Sequence, residues 1–117
     1  MFDDIVIITN NEMVSDQYDN VIFVEGNYID ALYKARDMVY LNHNLINHPL
    51  AASIRMFYSP LRSIALKKGK SESSQIIIDE SIQMYKKIMG NRNIDYRNLE
   101  DYKLIDLELL KESVAIN

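Results

Sequence analysis

The sequence has no cysteine and no tryptophan, only two prolines and three glycines, and no apolar run that approaches a membrane span of about 18 residues. Without cysteine there can be no disulfide, thiolate metal cluster or cysteine nucleophile, and the composition suits a reducing compartment. Met1-Phe2-Asp3-Asp4 places acids where a secretion signal needs positive charge, so a cytoplasmic location is expected. Basic residues are also few: 13 Lys and Arg face 17 Asp and Glu, giving a net charge of -4 and a pI near 5.1. That balance argues against a protein that grips a phosphate backbone through a broad basic field. No nucleophile elbow or dinucleotide fingerprint occurs. Gly69-Lys70-Ser71 has the ending of a phosphate loop, but Ile64 stands where that loop requires its first glycine.

What is present suffices for one domain. The 117 residues, 48% of them hydrophobic, can fill one continuous core, and a second domain has no room. Charged residues are interspersed rather than blocked, which speaks against wholesale disorder. We therefore expect a single α/β domain over residues 1–117.

Ile5-Val6-Ile7-Ile8-Thr9 is a β-branched run too short for a core helix and reads as a doubly buried strand ended by Asn10-Asn11. Asn10 can cap a short helix to about Asp16, after which Val21 to Val24 forms a second strand covered on both faces. Asn27, followed three residues later by Asp30, opens a helix whose apolar positions Tyr28, Ala31, Leu32, Ala35, Met38 and Val39 recur at three and four residue steps. A short third strand is read at Leu45 to Asn47, stopped by Pro49. Ser59 to Gly69 fits either a helix started by Ser59-Pro60 or a strand with Ile64 and Leu66 inward. The strand is favoured because Ser71 to Ser74 offers a cleaner cap for the next helix. That helix runs to Met89 with Ile78, Ile82, Tyr85 and Met89 in one stripe, Lys86 and Lys87 in its last turn, and Gly90 after it. Asn98 caps a final helix bearing Leu99, Tyr102, Ile105, Leu109 and Leu110. The order predicts a short, mainly parallel sheet of three to four strands flanked by helices.

Strands that run the same way bring their carboxyl ends to one edge, where ligands commonly bind. The residues leaving the three strands there include Asn10 and Asn11, Glu25 and Gly26, and His48 running on to Ser53. Together they offer amides, a carboxylate, an imidazole and a hydroxyl, a set suited to a small polar or anionic ligand. Capping and turn formation alone are the readier account of Asn10, Asn27 and Gly26. His48 carries the one imidazole at a strand end, where it can serve as acid, base or hydrogen-bonding residue. His43 and His48 have no acidic or thiol companions at ligand spacing, so no metal site is expected.

The segments Ile8-Thr9-Asn10-Asn11, Val24-Glu25-Gly26, Ala35-Arg36-Asp37-Met38-Val39 and above all His48-Pro49-Leu50-Ala51-Ala52-Ser53-Ile54 resemble the GrdX family. These are small proteins encoded beside the glycine, sarcosine and betaine reductase subunits of amino-acid-fermenting anaerobic bacteria. The resemblance reaches from the first strand to Ile64. It departs at Asn42-His43-Asn44, where a glycine is expected, and at Leu61, where the family pattern has tyrosine. It implies a setting in reductive amino-acid metabolism and no particular activity. The function expected is that of a noncatalytic accessory protein binding a ligand or partner at the strand ends, through Asn10, Asn11, Glu25, Gly26, His48 and Ser53. An enzyme using His48 as general acid or base, beside Glu25 and Ser53, is the alternative. A reductase-complex subunit, a small polar ligand and a second copy of the chain are the partners left open. Nucleic acid, membrane and cofactor are not expected.

Overall fold

The computed structural model describes residues 5–116. The acidic start, Met1 to Asp4, lies outside the described residues. The elements are β1 (Ile5–Thr9), α1 (Glu12–Gln17), β2 (Val21–Phe23), α2 (Tyr28–Tyr40), β3 (His43–Leu45), a 3-10 turn (Ile54–Tyr58), β4 (Ser63–Lys68), α3 (Glu72–Met89) and α4 (Leu99–Ile116). No helix among the described residues is long and apolar enough to cross a membrane.

The expected α/β class and strand number are found, with the four strands in the order β2-β1-β4-β3. β1 pairs with β2 in parallel, whereas β4 is antiparallel to both β1 and β3. Three strands therefore point the same way, yet β4, running the other way between β1 and β3, makes two of the three pairings antiparallel. The mainly parallel description holds for strand direction and is corrected for pairing. Residues 62–67, open between helix and strand in the sequence, belong mostly to the strand.

Alternation along β1 and β4 divides the apolar residues between two faces. Ile8, Ile64 and Leu66 pack with α2 and α3, including Tyr28, Leu32, Ile78 and Tyr85. Ile5, Ile7 and Ala65 pack with Val14 of α1 and with Leu107 and Leu110 of α4. The result is a three-layer sandwich with β1 and β4 buried at its centre. β2 is an edge strand, and Phe23 is 42% exposed, so the covering expected on both its faces is incomplete.

The cap of α1 is Asn11, not Asn10, because Asn11 accepts the Met13 N–H while Asn10 spends its side chain elsewhere. α2 begins as its spacing predicts, with the Asp30 carboxylate accepting the Asn27 N–H at 2.8 Å. Gly26 before it has φ +132, and a Cβ there would collide with the Asp30 carboxylate, so the turn demands glycine. Asn42 has φ 70, in the left-handed region that favours glycine and that asparagine tolerates. The turn after α2 thus keeps its shape where the resemblance led us to expect glycine.

β3 lies two residues earlier than predicted. Ile46 still donates to the Ala65 carbonyl, but then the Asn47 side chain replaces the main chain, accepting the Ala65 N–H at 2.8 Å and donating to the Ser63 carbonyl at 3.2 Å. An amide side chain thereby ends the ladder without orphaning its partner strand. In α4 the buried residues are Asp106, Leu107 and Leu110, while Ile105, expected inside, is 41% exposed. The helix is turned so that an acid faces the sheet.

Candidate functional site

β3 runs in the direction of β1 and β2, so Thr9, Gly26 and His48 leave the sheet at the same edge, where β4 begins. Two polar constructions occupy that edge. On the α4 face, the Asp106 carboxylate accepts the Ser63 N–H at 2.9 Å, the Ser63 hydroxyl at 2.6 Å and the Asn11 amide at 3.0 Å. With the Ser63 proton committed to Asp106, Thr9 donates to Ser63 Oγ at 2.6 Å and itself accepts the Asn11 N–H. All four residues are buried. This closed network satisfies its members and presents nothing to a ligand.

The second construction centres on Arg62, which is 5% exposed. Its N–H is held by Asn10 Oδ1 at 2.9 Å, its Nε donates to the Pro49 carbonyl at 2.8 Å, and its Nη2 donates to the His48 carbonyl at 2.6 Å. Asn10 also donates to the carbonyls of Gly26 and Pro60, so its amide is fully engaged in joining β1, β2 and β4. No carboxylate among the described residues makes a salt bridge with Arg62. Asp106, one residue away along the network, spends its oxygens on Ser63 and Asn11. Nη1 has no hydrogen bond among the described residues, yet no buried side-chain nitrogen among them lacks a partner, so Nη1 retains contact with solvent. Arg62 lines an open cleft of about 510 Å³ with Asn47, His48, Leu50 and Ile54, Met84 and Ile88 of α3, and Leu109 and Glu112 of α4.

His48 is exposed on the wall of this cleft. Its Nδ1 accepts the Leu50 N–H at 3.0 Å, which in the neutral ring leaves the proton on Nε2 as a donor. Tyr28, behind the loop, accepts the Ala51 N–H. Burial raises the Tyr28 phenol above its ordinary value, the Arg62 charge opposes that rise and Asp106 adds to it, so the phenol is neutral across the physiological range.

Of the six residues expected to bind a ligand, Asn10, Gly26 and His48 are joined through Arg62 and its bonds. Asn11 serves α1 and Asp106. Glu25 is exposed, and Ser53 caps the 3-10 turn by accepting the Arg55 N–H. His48 is the one of the six that lines the cleft. Sequence reasoning passed over Ser63, Asn47 and Asp106, and it places Arg62 in a basic stretch with Arg55, Lys67, Lys68 and Lys70 that could meet an anion but reads more readily as a solvated face. Asp106 carried a visible signal, since it stands four residues after Tyr102 and four before Leu110, on the apolar stripe of its helix.

The fold and the strand-edge geometry define a small three-layer α/β domain with a buried, salt-bridge-free arginine beside an apolar cleft. The chain belongs to the GrdX-like protein family, whose model matches residues 6–115. The likeness thus extends through α3 and α4, beyond Ile64, where the resemblance read from the sequence ended. No curated protein and no solved structure matches the chain.

Proposed function

We propose that the protein is a noncatalytic accessory component of reductive amino-acid metabolism of the glycine reductase type, and that it binds a small anionic group at the strand carboxyl ends. Family membership supports the metabolic setting. The observation that carries the binding role is Arg62, a permanently charged side chain buried without a salt bridge at the edge of a cleft. Two backbone carbonyls compensate part of its desolvation, and an incoming anion supplies the missing counter-charge. His48 offers Nε2–H as a second donor on the same wall. The enzyme reading gains little, because neither Glu25 nor Ser53 hydrogen-bonds the imidazole and Nδ1 is occupied by Leu50.

The test is a titration of the full chain with sodium acetate and sodium phosphate against sodium chloride at matched ionic strength, read by nuclear magnetic resonance at the Arg62 Nε–H and the Leu50 and Ala51 amides. Saturable shifts with acetate or phosphate are expected, weakened less than about tenfold in His48→Gln. Arg62 resonances that respond to neither anion beyond the chloride control overturn the reading.

A further inference from the structure

The walls of the Arg62 cleft narrow the chemistry of its occupant. Leu50, Ile54, Met84, Ile88 and Leu109 make it mostly apolar, with Ile54 and Met84 more than half exposed at its lip. Arg62 supplies positive charge at one part of the lining and Glu112 negative charge at another, and Glu112 makes no salt bridge among the described residues. A simple inorganic anion would use Arg62 and leave the apolar walls wet. A fatty acid would fill the walls and meet Glu112 with no cation of its own. A ligand matching all three features carries a carboxylate, an ammonium group and a compact apolar body.

We propose that this cleft binds a free amino acid with an aliphatic side chain, its carboxylate on Arg62 Nη1 and His48 Nε2, its ammonium toward Glu112 and its side chain against Leu50, Met84, Ile88 and Leu109. The proposal rests on the anion-binding reading above and gives it a substrate class. The cleft volume of about 510 Å³ lies within the range of small-molecule sites and leaves room for the side chain. Glycine, with nothing to place against the walls, is a poor fit.

The experiment is calorimetric and resonance titration of the full chain with L-leucine, 4-methylpentanoate, 3-methylbutylamine and glycine, in the wild type and in Glu112→Gln. L-Leucine should bind and shift the amides of Leu50, Ala51 and residues 109–113. Glycine and 3-methylbutylamine should bind at least about tenfold more weakly, since one lacks the apolar body and the other the carboxylate. 4-Methylpentanoate should also be about tenfold weaker in the wild type, and the gap between it and L-leucine should close in Glu112→Gln, whose exposed position leaves the fold intact. Equal binding of L-leucine and 4-methylpentanoate in both proteins overturns the amino-acid assignment while the anion-binding reading stands. If none of the carboxylates moves the cleft amides, the amino-acid assignment fails, and the anion-binding reading fails with it when phosphate too leaves the Arg62 resonances at the chloride control.

Discussion

The two faces of the sheet solve the same packing problem in different ways. On the α2 and α3 face the core is large and mostly apolar, and it contains an aromatic trio in which Tyr28 stacks on Tyr85 at 4.7 Å and Phe57 lies 6.0 and 5.8 Å from the two rings. On the α1 and α4 face the apolar core is smaller, with Ile5, Ile7, Val14, Ala65, Leu107 and Leu110, and beyond it lies the network of Thr9, Ser63, Asp106 and Asn11. One face is held by area and contact, the other by area plus directional bonds. Dispersion and burial tolerate small shifts, whereas a buried carboxylate with three donors fixes the position of its helix.

The largest effect should come from the aromatic face. Phe57→Ala removes a ring that is almost fully buried against the stacked Tyr28 and Tyr85, and unfolding in urea should show a loss of about 4 kcal/mol. The polar face should follow. Asp106→Ala leaves the Ser63 N–H, the Ser63 hydroxyl and the Asn11 amide without their acceptor, for a loss of about 3 kcal/mol. Asp106→Asn keeps one acceptor oxygen and should cost about 1 kcal/mol. A loss for Asp106→Asn as large as that for Asp106→Ala would mean that charge, rather than acceptor number, holds α4 in place.

Alkaline pH separates the faces again. Burial first, and then Tyr28, Tyr96 and Asp30, push the Tyr85 phenol up to about 12. The folded state therefore keeps a proton that the unfolded chain releases near 10.0, so this stability is complete below pH 10.0 and is lost as pH rises toward about 12. The loss should reach about 2 kcal/mol at the upper end, and Tyr85→Phe should make the decline shallower when unfolding free energy is followed against pH.

Much of this architecture was legible in the sequence because it follows from period. The apolar steps of α2 and α3 mark their buried faces, and Ile5 to Thr9 is a strand by length and β-branching. The pairing of β4 was hidden, since hydrophobic alternation shows that Ile64 and Leu66 point inward but not between which strands they lie. The site was read only in part for a related reason. Asn10, Gly26 and His48 do gather at one edge, but Arg62 and Asp106 look like solvated charges until the chain around them is folded. Asparagine served capping, ladder-ending and cross-strand bonding at Asn11, Asn47 and Asn10, and local sequence does not distinguish these uses.

The smallest expected effect concerns the connection that carries the chain from one face to the other. Between α3, on the aromatic face, and α4, on the polar face, Asp95 takes hydrogen bonds from the Asn98 side chain at 2.7 Å, the Arg97 N–H at 2.9 Å and the Tyr102 hydroxyl at 3.1 Å, while its own N–H donates to the Tyr58 carbonyl. The Asn98 bond, followed by the Arg97 N–H, lowers the Asp95 carboxyl below its ordinary 3.8; burial opposes this, and the Tyr102 hydroxyl and Arg97 charge add to it. A depressed carboxyl contributes stability that is present above 3.8 and is lost as pH falls through the lower folded value. Acidification should therefore loosen the Asp95 loop and the first turn of α4 before either core is disturbed. Hydrogen exchange should quicken at Arg97 and Tyr102 while Ile8 and Ile64 amides stay protected, and Asp95→Asn should show that faster exchange already at neutral pH. Simultaneous loss of protection at Tyr102 and Ile64 would instead mean that the connection and the two faces unfold as one unit, and that the contrast between the faces does not extend to how they open.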